Sequence, residues 1–534
     1  MKSLLEKQGR DGSLHTALSR LAEAGCSGKF HPNAASVLCC ANLIPLTKKD
    51  GGTRPIAVGE TLRRLIGKCL LQTPDVSAST KSLQPRQVGV GVQGATELVG
   101  MGVQRLFDRL DPQGDWVLLQ VDVKNAFNTV DRSAVLQGAR NDVPGAYNWL
   151  AFCYADRVPL FCQGSLLCWS QAGVHQGDTC GPLGFALGLN TALDACRDEA
   201  NPLLWEVWYL DDGTIVGSAS HVMSYLQRLH VELRKVGLVL NPDKCRLIGP
   251  GIQASPNGGP RYPRDLALDH FGRAIPVVPF SVGLGITTLG VPADVPGGKE
   301  YSTRKWHDAV GLALHLLERL QLFPGVQIRH ALLRYCLDGC RVMHLLRSTP
   351  LDTGQRAVEE LSSSIRAAAD DLVGTSLPDL VWAQATLPIS SGGLGIKDPH
   401  HERPHARMAA LSTFELFARD RAGVPEDVFT APSPDLLPVV VSLQSTLGVN
   451  HEPLKGWAST PSSHASATHE HASQRWWAEQ VAKERGAALH GRVPIRDQCR
   501  LEAQRGPYAY KWLSVLPSGA PFSVSIFFRS QFTQ

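Results

Sequence analysis

Three carboxylates constrain this chain more than any other feature. Asp122 lies near the end of an apolar run, WVLLQVDV (116–123), that is short and β-prone and so reads as a buried strand. Asp211 and Asp212 sit at the tip of a second extended segment. Val207 to Val216 reads as two short strands joined by a tight turn at Asp211-Asp212-Gly213. Isolated carboxylates in apolar surroundings are costly to bury. They are accounted for if they hold hard cations, because Mg²⁺ prefers a few carboxylates completed by substrate phosphates and water. Two such ions can clamp the attacking and leaving oxygens of an in-line phosphoryl transfer. Neighbouring side chains on a strand point to opposite faces, so Asp122 and Asp211 are the expected main metal ligands, with Asp212 less directly engaged. Taken alone, an Asp-Asp-Gly hairpin is more often a turn than a metal site.

The surrounding chain is ordinary for a globular protein. Its 534 residues predict about three or four structural units, and 43% hydrophobic residues suffice for a sizeable core. The net charge of +4 does not identify a nucleic-acid partner, but its distribution says more. Residues 1–70 carry eleven Lys/Arg against five Asp/Glu, and residues 301–350 carry seven against three. Such local excesses read either as phosphate-binding surfaces or as solvated helix faces. Thirteen cysteines without a C-x-x-C pair do not suit a zinc site, and read as buried free thiols in a reducing compartment. The N-terminus lacks an apolar signal core, and no run approaches the ~18 apolar residues of a membrane span. The expectation is a soluble intracellular protein of nucleus or cytoplasm, without a membrane partner.

Periodicity supplies the remaining elements. Thr129 could cap a helix starting near Asp131, 181–197 reads as a helix with Pro182 in its first turn, and 221–236 reads as amphipathic and helical. Residues 249–262 read as a loop. Residues 305–322 and 326–347 read as a helical hairpin broken at Phe323-Pro324-Gly325. The stretch 429–475, rich in Pro, Ser, Ala and His, reads as a linker or poorly ordered segment. Its His451, His464, His469 and His471 have no Cys nearby, so low complexity outweighs a metal site there. Residues 473–513 return to a helical pattern.

The order of motifs turns these features into a family resemblance. LIPLTKKDGGTRPIAV, LLQVDVKNAFNTVD, AGVHQGDTCGPLGFAL, VWYLDDGTIV and GLVLNPDKCRLI resemble the successive motifs of reverse transcriptases. The resemblance runs from about residue 43 to residue 396 and is strongest to polymerases of non-LTR retrotransposons. It implies an α+β right-hand fold, with an antiparallel palm sheet and a helical thumb. The implied division is an N-terminal helical extension (1–29), fingers (30–115), palm (116–295, with fingers or palm helices within 132–205), thumb (296–396) and a mostly helical C-terminal extension (397–534).

The resemblance also implies roles. Asp122, Asp211 and Asp212 would hold two Mg²⁺ ions, or Mn²⁺ in their place, and Lys244 would protonate the departing pyrophosphate. Lys48 and Arg54 would grip the incoming triphosphate; basic side chains beside a Gly-Gly turn suit closure over phosphates, and a solvated basic hairpin is the plain alternative. Ala126 and Phe127 would meet the sugar, with the Phe127 ring excluding a 2′-hydroxyl. Asn128 stands where relatives often have Asp. Gln176 and Gly177 would pack on the nascent base pair, while His175 reads as a structural or surface residue in a place some relatives fill with Pro. Arg63, Arg64 and Lys68, at helical spacing, could meet the template or form an exposed face. Tyr209, Gly290 of a primer-grip hairpin (Leu289-Gly290-Val291-Pro292), Arg304 and Lys305 would meet template and primer, with Arg329, Arg334 and Arg341 available to the duplex backbone. LPISSGGLGI (387–396) resembles the region closing the thumb. The implied partners are an RNA template, a DNA primer or target and deoxynucleoside triphosphates, and the implied reaction is RNA-directed DNA synthesis. No endonuclease, terminal Cys/His segment or RNase H constellation is recognisable, which suggests a truncated element. The alternative is an inactive or domesticated remnant that binds nucleic acid without synthesis.

Overall fold

The computed structural model describes residues 13–47, 51–252, 275–278, 280–420, 433–459, 468 and 470–505. The chain divides into two compact units, the first comprising residues 1–95 and 111–280, the second residues 96–110 and 281–534. The helix Ala95–Arg109 and the hairpin after residue 284 therefore group with the second unit, not with the segments that precede them in the chain.

In the first unit the strands run β1 (Ala41–Thr47), β2 (Thr53–Gly59), β3 (Trp116–Val121), β4 (Val158–Cys162), β5 (Ser165–Ser170), β6 (Trp205–Tyr209), β7 (Asp212–Ser218) and β8 (Arg246–Ile248). One sheet has the order β2-β1-β4-β5; the other, β6-β7-β3-β8, is antiparallel throughout. The central strand β3 is buried on both faces except at Gln120, which is why its sequence is continuously apolar and does not alternate. Leu119, Val121 and Ile215 of this sheet share one core with Leu187 and Leu226 of the helices Gly181–Ala195 and Ala219–Lys235.

Local capping differs from the sequence reading at one point. The helix Arg132–Asp142 is capped by Asp131, whose carboxylate accepts from Ser133 N at 2.8 Å, and not by Thr129. A carboxylate at that position satisfies an otherwise orphaned amide and complements the helix dipole.

The second unit begins, in its larger segment, with a hairpin of β9 (Gly285–Thr288) and β10 (Val291–Asp294). Its two-residue turn places Leu289 at φ +50° and Gly290 at φ +87°, the left-handed pair that a tight antiparallel hairpin demands. The helix Glu300–Glu318 follows, its Tyr301 and Ser302 amides donating to the Asp294 carboxylate.

The expected second helix of the thumb hairpin is interrupted. Val326–Leu332 is α-helical and 333–337 widens to a π-turn, after which the chain breaks at Asp338. The buried Asp338 carboxylate accepts from Cys340 N and Lys397 N, both at 2.9 Å, so it caps a new helical turn instead of continuing the old one. The stretch expected to be a linker contains two helices, Leu436–Leu447 and Glu452–Ser459, which bury Val439, Val440, Leu443, Leu454 and Trp457. Its composition concealed an apolar stripe. Asp435 also ties the segment down through Arg407, at 2.7 Å. The C-terminal helical pattern resolves into Gln474–Arg492 and Ile495–Gln504, parted at Pro494. Residues 506–513 of that expectation, with Lys48, His464 and His469, lie outside the described residues. Among the described residues no helix is long and apolar enough to cross a membrane.

Candidate active site

The antiparallel sheet of the first unit brings the three carboxylates to one end. Val121, the last residue of β3, pairs with Gly213, so Asp122 leaves the sheet beside the β6–β7 turn. That turn consists of Leu210 and Asp211, because Tyr209 pairs with Asp212. It therefore lies earlier than the Asp211-Asp212-Gly213 turn read from the sequence, and Asp212 already belongs to β7. The cause is Gln87. Its side-chain oxygen accepts from Leu210 N at 2.8 Å and its amide donates to Leu210 O at 3.3 Å, which holds Leu210 at φ +55°. A branched residue rarely adopts that conformation unless its surroundings fix it. Asp211 is then presented from the turn and Asp212 from the strand, which removes the opposite-face problem that adjacent strand residues would have.

Asp122 is oriented from the other side. Asn241 donates through Nδ2 to the Asp122 carboxylate at 2.8 Å and through its backbone to Asp122 O at 2.9 Å. The same Asn-Pro-Asp-Lys turn brings Lys244 within electrostatic range of both Asp211 and Asp212. Arg54 of β2 acts on Asp211 as well.

The electrostatics are those of an undercompensated acidic cluster. Burial, reinforced by Asp122, pushes the Asp211 carboxyl above its ordinary value against the pull of Arg54 and Lys244. Crowding by protein, then Asp211 and Asp122, lifts Asp212 to about 7, although its side chain still meets water. Carboxyls that resist ionisation next to one another fit divalent cations, which would supply the missing positive charge. Among the described residues no three His, Cys, Asp or Glu side chains form a ready-made metal cage.

Two further expected residues border this end of the sheet. Ala126 is buried and Phe127 half-buried in the short helix Ala126–Thr129, and the Phe127 ring stacks on Phe185 at 4.7 Å and 13°. Phe127 O accepts from Val174 N at 2.7 Å, which couples this turn to the segment carrying Gln176 and Gly177. Gln176 is half-exposed. A side chain at Gly177 would place Cβ 2.3 Å from Ala57 O, so this glycine serves packing of its loop on β2.

The template assignment of Arg63 is corrected. Arg63 is 0% exposed and cannot reach a nucleic-acid backbone. Its guanidinium pairs with Asp178 at 2.6 Å, donates to Cys39 O at 2.8 Å and meets His175 Nδ1 at 3.3 Å. Tyr154 OH donates to the same Asp178 carboxylate, and His175 Nε2 meets Ser170 Oγ at 3.1 Å. A guanidinium only donates, so His175 must be neutral with Nδ1 accepting. Burial, followed by the Arg63 charge, lowers it to about 3. Arg64 and Lys68 lie exposed on the other side of the same helix, Thr61–Leu71. Tyr209 is half-buried at the end of β6, opposite Asp212.

Gly290, Arg304 and Lys305 belong to the second unit. Gly290 occupies the β9–β10 turn, and Arg304 and Lys305 lie 5.7 and 5.4 Å from the Tyr301 ring. Arg329 is paired with Asp371 at 2.8 Å, which partly neutralises it. Sequence reasoning missed Gln87 and Asn241. Gln87 carries no local signal, whereas Asn241 adjoins Lys244 in a motif already singled out.

Residues 46–257 match the family described as reverse transcriptase (RNA-dependent DNA polymerase). The retrotransposable element SLACS 132 kDa protein of Trypanosoma brucei gambiense is 21% identical over 392 residues, which are 70% of this chain and 29% of that protein. This chain thus spans under a third of that relative's length. Among solved structures, telomerase from Candida albicans in complex with a fragment of telomeric RNA aligns at TM-score 0.39 and 12% identity, covering 81% of this chain and 66% of that one. Apo telomerase from Candida tropicalis aligns at TM-score 0.37 and 11% identity, covering 78% and 68%.

Proposed function

We propose that this chain, which carries a reverse transcriptase domain of retrotransposon type, is an RNA-directed DNA polymerase that extends a primer 3′-hydroxyl with deoxynucleotides on an RNA template. The observation that carries this reading is the gathering of Asp122, Asp211 and Asp212 at one sheet end, with Lys244 acting on Asp211 and Asp212 and Arg54 on Asp211. Asp211 and Asp212, pushed up by burial and by the neighbouring carboxylates while facing basic groups, suit a reaction that brings in both metal and phosphate.

Asp122 and Asp211 would be the main holders of two divalent ions, Mg²⁺ or Mn²⁺, with Asp212 a weaker contributor. Bound there, the ions supply Lewis acidity to the attacking and leaving oxygens. The chain's own residues do the rest. Asn241 fixes the Asp122 carboxylate, and Gln87 fixes the turn that presents Asp211. Arg54, with Lys48, would grip the triphosphate, and Lys244 would give a proton to the leaving pyrophosphate. Phe127, stiffened by Phe185, would close the space beside C2′ and favour deoxynucleotides. Gln176 and Gly177 would lie on the nascent base pair. Arg64, Lys68 and Tyr209 would meet template or primer in the first unit, as would Gly290, Arg304 and Lys305 in the second. On this reading the second unit serves as thumb and C-terminal extension.

The test is extension of a DNA primer on an RNA template with Mg²⁺, deoxynucleotides and ribonucleotides being supplied in parallel. Metal-dependent extension restricted to deoxynucleotides supports the reading. Tight hybrid binding without extension under either metal assigns the chain to binding alone.

A further inference from the structure

The second unit contains a cavity of about 460 Å³ unrelated to the carboxylate cluster. It is walled by the π-turn segment, the Gly-rich 388–397 turn and the helices Pro399–Asp420 and Gln474–Arg492. Three cations line it: Arg334, Lys397 and Arg485. None has a carboxylate ion pair among the described residues. Arg485 donates instead to Thr386 Oγ1 at 2.7 Å and meets His401 Nδ1 at 3.2 Å, both neutral partners. Arg334 Nη1 is buried without a hydrogen-bond partner among the described residues, and its guanidinium lies 4.6 Å from the Tyr335 ring, which is 59% exposed. The one carboxylate on the wall, Glu402, lies 3.3 Å from His405 and also acts electrostatically on Lys397 and Arg485, so three cations face a single anion.

A half-buried guanidinium whose inner nitrogen lacks a partner, in a pocket where three cations face one carboxylate, is an unfinished anion site. The exposed aromatic ring at its edge adds a flat apolar face of the kind on which bases stack. The volume suits one nucleotide and excludes a duplex. We propose that this cavity binds a single nucleoside phosphate, its phosphate held by Arg334, Lys397 and Arg485 and its base lying on Tyr335. The nucleotide is either one unpaired residue of an RNA strand or a free nucleotide. Arg334 is accordingly committed to this pocket and is not a contact to duplex backbone. This inference does not depend on the polymerase reading.

The experiment uses the full chain in EDTA, which suppresses metal-dependent binding at the carboxylate cluster. Fluorescein-labelled (rU)₈ is titrated by anisotropy at several salt concentrations, with UMP as competitor. Lys397→Gln and Tyr335→Ala alter exposed side chains, and melting curves verify that both variants remain folded. Lys397→Gln is expected to reduce the salt slope by about 0.7, the share of one phosphate contact on a single strand. Tyr335→Ala is expected to weaken binding roughly five- to tenfold through lost stacking. Displacement by UMP at equal nucleotide-unit affinity identifies the free nucleotide as the ligand; its failure to displace identifies the strand. Affinity and salt slope unchanged in both folded variants would overturn the proposal.

Discussion

The buried Arg63–Asp178 pair offers the sharpest structural prediction. Asp178→Asn keeps the shape and most of the hydrogen bonding but removes the anion facing a fully buried guanidinium. His175 cannot substitute, since it is neutral, and Tyr154 and the Cys39 carbonyl supply only dipoles. Removing one partner of a buried pair costs about 3–5 kcal/mol. For a unit of this size that corresponds to a fall in melting temperature of roughly 6–20 °C, read by circular dichroism. The double variant Arg63→Met/Asp178→Leu should recover much of the loss, because it leaves no orphaned charge. The pH profile carries the same signature. Burial raises the Asp178 carboxyl, but Arg63 and the Tyr154 hydroxyl outweigh it and hold the group below its ordinary 3.8. Its contribution is therefore complete above 3.8 and is lost as pH falls through its lower folded value. His175 is lowered from 6.5 to about 3, so its contribution is complete above pH 6.5 and erodes between 6.5 and 3, by up to ~5 kcal/mol. Wild type should lose stability progressively below pH 6.5, and His175→Gln should flatten that limb. An Asp178→Asn loss under about 1 kcal/mol, or a double variant no more stable than the single ones, would refute the reasoning.

Other predictions concern the candidate active site. Asp212 is raised from 3.8 to about 7, so without metal the fold should lose stability as pH rises across that interval. Asp212→Asn should remove the slope and raise the metal-free melting temperature at pH 8. Because the side chain meets water, the gain is at most about 1 kcal/mol; Mg²⁺ should stabilise wild type more at pH 8 than at pH 5.5. Phe127→Ala should relax discrimination against ribonucleotides by on the order of ten- to a hundredfold, measured as the ratio of kcat/KM values for the two sugars. Gly177→Ala must accommodate a Cβ now 2.3 Å from Ala57 O, so it should cost about 1–3 kcal/mol in a melting curve and raise KM for the deoxynucleotide.

The candidate site residues were legible because they sit in short motifs with strong local signals. Asp122 was visible at the edge of an apolar run, and Asp211-Asp212 between two strands. What was not legible depends on partners distant in the chain. The β6–β7 turn falls at Leu210-Asp211 because Gln87, 123 residues earlier, grips Leu210. Arg63 read as exposed beside Arg64 and Lys68, yet with Ile66, Gly67 and Leu70 it forms the i, i+3, i+4, i+7 stripe that turns inward. That stripe was present in the sequence, whereas the Arg63 partner Asp178, 115 residues away, was not legible there. In the second unit, Asp338 ended a helix that periodicity would have continued, because its carboxylate is claimed by Lys397 N. Composition misled at 436–459, where Val439, Val440 and Leu443 build a buried face inside a stretch rich in Ser and Pro.

The most direct measurement compares wild type with Asp211→Ala in single-nucleotide incorporation on a poly(rA)/oligo(dT) hybrid with Mg²⁺, with hybrid affinity recorded for both. Incorporation by wild type and its loss by several orders of magnitude in the variant, at unchanged hybrid affinity, is the predicted result. Equal incorporation by both proteins would contradict the assignment of the β6–β7 turn as the site of chemistry.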